Sequence, residues 1–112
     1  MDRLSKQALR MIADRFKLLS SPTRLEILQH ICREEKTVTA LVELTGFKQA
    51  NVSKQLSLLD RAGLVRRRAE GNHVHYTAAD QRLPQLCEIM REEVRARQGE
   101  LMASLEDEVR SE

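Results

Sequence analysis

The stretch from residue 37 to residue 62 constrains the fold of this chain more than any other part of the sequence. It contains two segments with apolar side chains at helical spacing, and Gly46 separates them. The apolar positions are Val38, Leu41, Val42 and Leu44 in the first segment and Val52, Leu56, Leu59 and Ala62 in the second. Thr39 is a candidate N-cap for the first helix, and glycine commonly ends a helix in the left-handed conformation. A short helix, a turn and a longer helix predict a helix-turn-helix unit over residues 39–62.

A β-hairpin is predicted directly after this unit. Gly63 ends the second helix, and the segment from Leu64 to Ala69 predicts a strand. The turn residues Glu70-Gly71-Asn72 follow, and the segment from His73 to Thr77 predicts the second strand. A two-stranded hairpin that follows a helix-turn-helix unit is the wing of a winged-helix domain.

Further helices are predicted on both sides of this region. Residues 3–19 carry apolar side chains in steps of three and four. Ser21 is placed to cap a second helix, and Pro22 suits its first position, where no amide donor is needed. The predicted inner face of that helix comprises Leu25, Ile27, Leu28, Ile31 and Cys32. The predicted fold class is therefore mainly α: a winged helix-turn-helix with a two-stranded wing and a long C-terminal helix.

The C-terminal helix is predicted to begin at Asp80 or Pro84 and to carry more apolar surface than one small core needs. Its stripes are Leu83, Leu86, Cys87, Met90 and Val94, then Leu101, Met102, Leu105 and Val109. This surplus predicts a homodimer. Gly99 costs about 1 kcal/mol inside a helix, which predicts a bend or break there. We therefore expect a winged-helix DNA-binding and dimerisation domain over residues 1–98 and an acidic helical extension over residues 99–112.

Composition narrows the class of protein. With 112 residues, 41% of them hydrophobic, the chain is one small domain. Its first residues carry charges where a secretion signal needs an apolar core, so a cytoplasmic location is expected. The sequence has no P-loop and no nucleophile elbow, and its four glycines are too few for a dinucleotide fingerprint. An enzyme is not expected, and neither a catalytic residue nor a cofactor is predicted.

The middle of the chain is locally basic. Between residues 48 and 75 six Lys and Arg side chains stand against two acidic ones, whereas the stretch from residue 88 to the end has four Arg and eight acids. Because polyanion binding needs a local patch and not an average charge, this distribution favours nucleic acid as the partner.

The second helix of the helix-turn-helix unit has a polar outer face. We predict that Gln49, Asn51, Ser53 and Lys54 contact DNA bases. Asn and Gln can pair with adenine edges, and Lys can reach guanine or phosphate. The alternative is a solvated surface helix, which usually includes Glu, and here the first acid is Asp60.

The wing and the end of the preceding helix supply candidates for contacts with the DNA backbone or the minor groove. These are Arg61, Arg66, Arg68, Asn72 and His73. In a strand Arg66 and Arg68 share one face and Arg67 opposes them. The alternative is an edge strand whose charges block aggregation.

Residues 16–77 resemble the ArsR/SmtB family of bacterial winged-helix repressors. The segments that carry the resemblance are Phe16–Leu28, Asn51–Leu56 with Leu59, Ala62–Val65 and Gly71–Tyr76. The resemblance implies a homodimer in which the first and last helices pair across a two-fold axis. It also implies repression by binding to a double-stranded DNA operator, with release by an inducer.

The sequence departs from the metal sites of this family. Where the arsenic- and cadmium-responsive members have Cys-x-Cys, this chain has Ala40-Leu41-Val42, without the thiolates that a soft metal needs. The zinc pattern of the last helix keeps Asp80, but Arg82, Glu93 and Ala96 stand at its other positions. No metal site is therefore predicted, and a small-molecule, metal or redox inducer is not identifiable.

Two cysteines leave a thiol sensor as one interpretation. Some members of the family sense persulfide or oxidation through one Cys in each of the helices that contain Cys32 and Cys87. Against those members Cys32 is about one turn late and Cys87 about two turns early. Both lie on apolar stripes, which favours a role as small core residues.

The sequence therefore predicts a homodimeric, sequence-specific DNA-binding repressor. A winged helix can also dock another protein, and an interaction module that does not bind DNA remains the alternative.

Overall fold

The computed structural model describes the backbone of residues 2–111 and the side chains of residues 2–99. In chain order the elements are α1 (Lys6–Leu19), α2 (Pro22–Ile31), β1 (Lys36–Thr37), α3 (Val38–Thr45), α4 (Gln49–Arg61), β2 (Val65–Glu70), β3 (His73–Ala78) and α5 (Arg82–Ser111). The predicted helix-turn-helix is α3 and α4, and the predicted wing is β2 and β3. The mainly α fold class is confirmed.

Side-chain caps set where the first helices begin. The Ser21 hydroxyl accepts a hydrogen bond from the Arg24 amide at 3.2 Å, and Pro22 occupies the first turn of α2, as the sequence predicts. The cap of α3 was predicted at Thr39, and this is wrong. Thr37 caps the helix, because its backbone is extended at φ −83° and ψ 165° and its hydroxyl accepts from the Ala40 amide at 3.2 Å.

Glycines end α3 and follow α4. Gly46 has φ 77° and donates its amide to the Val42 carbonyl oxygen at 2.9 Å, which closes the last turn of α3. Gly63, at φ 75°, follows Ala62, the C-cap residue of α4. Both positions lie in the left-handed region, which a residue with a Cβ adopts only with strain.

The sheet has one more strand than the sequence predicts. β3 lies in the centre and pairs antiparallel with β2 on one side and β1 on the other. The hairpin register pairs Val65 with Ala78 and Glu70 with His73, so the turn is at Gly71 and Asn72. β1 consists of Lys36 and Thr37 alone, which is too short for any period to show in the sequence.

The core of the first part of the chain is formed by three helices. Seven side chains have 0–1% of their surface exposed: Ile27, Leu28, Ile31, Leu41, Val52, Leu56 and Leu59. The predicted inner face of α2 is wrong at Leu25, which is 41% exposed. Leu25 is two residues from Ile27, and residues two apart on a helix point in nearly opposite directions.

The chain divides into two compact units, one ending at Asp80 and the other starting at Gln81. The second unit consists mainly of α5, which continues through Gly99, so the break predicted at that residue is wrong. Within the described side chains of α5, Leu83 is buried and Ile89, Met90 and Val94 are about half exposed. The domain boundary predicted after residue 98 stays a prediction, and the side chains of residues 100–112, including the second apolar stripe, lie outside the described residues. None of the described helices has the length and apolarity that crossing a membrane requires.

Candidate nucleic-acid interface

Helix α4 carries all four predicted base-contacting side chains and is anchored in the core. Val52, Leu56 and Leu59 are fully buried along one side of the helix. Gln49, Ser53 and Lys54 are exposed, and Asn51 is half-buried. Lys54 projects from the side opposite the buried stripe and Ser53 lies at the edge of that stripe. Gln49, seven residues before Leu56, continues the line of the stripe and is exposed because it lies at the start of the helix.

The N-terminus of α4 has positive character. Lys48 is the N-cap residue and makes no side-chain capping bond. The first turn contains no acid. Unpaired backbone amides and the helix dipole both favour an anion such as a phosphate at this end.

A chain of hydrogen bonds leads from α2 to Asn51. Arg24 donates to the Leu18 carbonyl oxygen at 2.6 Å and to Gln55 Oε1 at 2.9 Å. Gln55 Nε2 in turn donates to Asn51 Oδ1 at 3.0 Å. Asn51 is therefore held by the protein, whereas no side-chain hydrogen bond holds Gln49, Ser53 or Lys54 within the described side chains.

In the wing, two of the arginines that are predicted to contact DNA already donate hydrogen bonds to other groups of the protein. Arg66 donates to the Ala79 carbonyl oxygen at 2.9 Å. Arg68 donates to both carboxylate oxygens of Glu35, at 3.1 and 2.6 Å, and to Glu70 at 2.8 Å. His75 Nε2 lies 3.9 Å from the same Glu70 carboxylate.

These contacts shift the acid–base equilibria of the cluster. Hydrogen bonds from Arg68 lower the pKa of Glu35 and the pKa of Glu70, and the two carboxylates raise the pKa of Arg68. Arg68 and Glu35 remain 48% and 40% exposed, so water screens their attraction. The cluster offsets the charge of one arginine in the wing and ties β2 to the turn after α2.

Arg67 is a candidate that the sequence reasoning passed over. It is exposed and pairs with Tyr76 across the hairpin, on the opposite face from Arg66 and Arg68. It makes no hydrogen bond or ion pair to any residue that the structure describes. Strand alternation places Arg67 on a different face from Arg66 and Arg68, but only the position of Glu35 shows that the charge of Arg68, and not that of Arg67, is offset.

The other candidates for contacts with the DNA backbone or the minor groove are exposed. Asn72 and His73 lie at the tip of the hairpin, and Arg61 lies in the last turn of α4. Ala50 is a further candidate that sequence reasoning missed: it is exposed in the first turn of α4, and an alanine methyl can pack against the methyl group of thymine. The sequence feature that could have identified Ala50 is its place next to Gln49 in a helical turn without acidic residues.

The described residues contain no group of three or more His, Cys, Asp and Glu side chains that could hold a metal ion. Cys32 and Cys87 are thiols, and both are half-buried. Burial raises the pKa of the Cys87 thiol, which lowers its thiolate fraction at neutral pH.

Comparison with protein families matches residues 21–67 to the family described as bacterial regulatory protein, arsR family. The probable mercury resistance operon repressor of Streptomyces lividans is 40% identical over 76 residues, which are 68% of this chain and 61% of that protein. The arsenical resistance operon repressor of Bacillus subtilis is 31% identical over 97 residues, which cover 81% of this chain and 92% of that protein.

A solved structure is similar over most of its length. It is the solution structure of a homodimeric winged helix-turn-helix DNA-binding domain from Mycobacterium bovis, described as a possible ArsR-family transcriptional regulator. Its TM-score is 0.73 at 29% identity, with 88% of this chain and 92% of that chain covered.

Proposed function

This chain belongs to the arsR family of bacterial regulatory proteins, and we propose that it is a homodimeric repressor that binds a specific operator through α4 and the β2–β3 wing. The observation that carries the proposal is the acid-free first half of α4, where Gln49, Ser53 and Lys54 are exposed. It is followed by a wing in which Arg67 makes no ion pair to any residue whose side chain is described. Operator binding by such a protein takes place in the cytoplasm, where bacterial DNA lies.

Helix α4 and the wing have separate roles in operator binding. Helix α4 enters the major groove, where Gln49, Asn51, Ser53 and Lys54 contact base edges. The wing and the end of α4 contact phosphates or the minor groove through Arg61, Arg66, Arg68, Asn72 and His73, together with Arg67. Arg67 leads this group, since Arg68 has to leave two carboxylates before it can bind a phosphate.

Dimerisation is supported by apolar side chains that a single chain leaves exposed. Every residue of α1 is described, and none of them is buried. Leu9, Ile12 and Phe16 follow one stripe of α1 and are 39–55% exposed. A second copy that covers this stripe produces a two-fold axis, and the operator is then an inverted repeat.

The inducer is not assigned to a chemical class. The names of the two relatives connect those proteins with mercury and arsenical resistance. In this chain the corresponding positions of α3 are Ala40, Leu41 and Val42, which lack the thiolates that soft metals need. Release of DNA by an inducer therefore stays an expectation from the family.

Selection of bound duplexes from a random library, followed by affinity measurements across salt concentrations, tests the proposal. We expect enrichment of an inverted repeat and a steep loss of affinity with salt, because phosphate contacts release counterions. The competing function is a protein-docking module. Failure to enrich any sequence, together with weak salt dependence, would support that function instead.

A further inference from the structure

The hydrogen-bond chain from Arg24 to Asn51 has a fixed direction. A guanidinium group only donates, so the Gln55 atom that faces Arg24 at 2.9 Å has to be the amide oxygen. The NH2 group of Gln55 then faces Asn51, and the Asn51 atom that it meets at 3.0 Å has to be the acceptor oxygen. Side-chain amides are often ambiguous in orientation, but here the donor-only arginine removes the ambiguity for both.

Arg24 is itself held firmly enough to impose this direction. Its Nε donates to the carbonyl oxygen of Leu18 at 2.6 Å, in the last turn of α1. Its backbone amide donates to the Ser21 cap at 3.2 Å, at the start of α2. Arg24, Gln55 and Asn51 are all half-buried, which limits the competition from water.

We propose that Arg24 and Gln55 are positioning residues that turn the Asn51 amide so that its NH2 group, and not its oxygen, meets the DNA. This inference rests on the proposed function and specifies its base recognition. Asn51 oxygen already accepts one bond, and Asn51 NH2 donates to no acceptor within the described side chains.

The consequence is a preference for one class of base edge. In the major groove the N7 of purines, the O6 of guanine and the O4 of thymine accept hydrogen bonds, whereas cytosine offers only its amino donor. Asn51 therefore favours an acceptor at the base position that it contacts, and cytosine is disfavoured there.

The test begins with selection from a randomised duplex library by the unaltered protein and by Asn51→Ala. The base pair at which Asn51→Ala loses at least about fivefold discrimination is the one that Asn51 contacts. If the unaltered protein enriches no sequence, the proposed function fails. If it enriches a sequence in which no base pair depends on Asn51, only the present inference is overturned.

Two further variants are designed to make residue 51 present a hydrogen-bond acceptor to DNA in place of a donor, each by a different change. In Gln55→Glu the carboxylate still accepts from Arg24 but can only accept from Asn51, so Asn51 has to turn its oxygen outward. In Asn51→Asp the carboxylate accepts from Gln55 and can only accept from DNA. Both variants are expected to shift the preference at that base pair, by about fivefold or more, toward cytosine, whose major-groove edge offers a donor and no acceptor. A variant with an unaltered circular dichroism spectrum that keeps the original preference overturns the inference.

The matched control for the added negative charge is Ser57→Glu, on an exposed position of the same helix. We expect it to weaken binding to all duplexes alike and to leave the base preference unchanged. Arg24→Leu is expected to relax the preference at the Asn51 base pair without reversing it, because Gln55 is then able to turn either way. Full preference in folded Arg24→Leu excludes Arg24 as the positioning residue.

Discussion

Arg68 in the wing and Glu35 in the turn after α2 form a two-bond ion pair, with Nε–Oε2 and Nη2–Oε1 distances of 3.1 and 2.6 Å. Glu70 contacts the same guanidinium from within the wing at 2.8 Å. Since the pair is exposed to water, its main effects are on the orientation of the wing and on the charge that the wing presents to DNA.

Arg67 and Arg68 are therefore expected to contribute unequally to DNA binding. Arg67→Ala should reduce the slope of log affinity against log salt concentration by about 0.9, the value for one lost phosphate contact. Arg68→Ala should reduce it by less, because two carboxylates already offset that charge. Fluorescence anisotropy across a salt series measures both slopes. Equal reductions in the two variants would show that Arg68 leaves its carboxylates and binds phosphate.

The same ion pair predicts a pH dependence of stability. Arg68 lowers the pKa of Glu35 in the folded state below its unfolded value of about 4.3. The stabilisation is thus fully present above the unfolded pKa and is lost as the pH falls through the lowered folded pKa. Thermal melting from neutral to acidic pH should show that the unaltered protein and Glu35→Gln differ in melting temperature at neutral pH. This difference should disappear at acidic pH. A difference that stays constant over this range contradicts the assignment.

The first half of α4 is expected to provide sequence discrimination. Gln49→Ala and Lys54→Ala should each weaken operator binding more than binding to a random duplex, by about 1–3 kcal/mol of discrimination. The physical reason is that both side chains are exposed in the first two turns of a helix that its buried residues anchor in the core. Competition assays with operator and random duplex give this difference directly. Equal losses on the two duplexes would exclude base contact by these residues.

Much of the fold could be predicted because its signals are local. The Ser21 cap, Pro22 and the left-handed Gly46 each act within one turn of chain, and the apolar spacing of α4 identifies its buried side. β1 could not be predicted, because two residues have no period and pair with β3 only in the folded chain. The cap at Thr37 shows the same limit, since Thr37 and Thr39 are chemically equivalent until the backbone direction is known.

The sequence indicates which elements form the candidate site, but it does not indicate which side chains contact one another there. The sequence indicates that α4 and the wing are polar and basic. It gives no sign that Glu35, thirty-three residues before Arg68, neutralises one of three adjacent arginines. It also gives no sign that Arg24 reaches Gln55 and so orients Asn51. Both relationships join parts of the chain that only folding brings together.

The exposed stripe of α1 is expected to lie in the dimer interface. Phe16→Glu should shift the protein toward monomer, because Phe16 is 55% exposed in the single chain and a buried charge there has no partner. Gln7→Glu is the matched control, since nine residues along a helix place Gln7 on the opposite side. Sedimentation at micromolar concentration measures the change. A monomeric unaltered protein that binds DNA one-to-one would contradict both the dimer and the inverted repeat, whose half-sites we expect about one DNA turn apart.

The two cysteines are expected to act as small apolar residues and not as a redox switch. Both are half-buried, and burial raises the pKa of the Cys87 thiol. The thiolate is the species that reacts with persulfide or peroxide, so a raised pKa slows both reactions at neutral pH. The Cys32→Ser/Cys87→Ser protein should therefore keep its affinity for the operator and its response to inducer. Persulfide or peroxide should leave operator binding by the unaltered protein unchanged in the same assay, with the two single variants as controls. Release of DNA by either reagent in the unaltered protein, lost in each single variant, would instead make Cys32 and Cys87 the sensor.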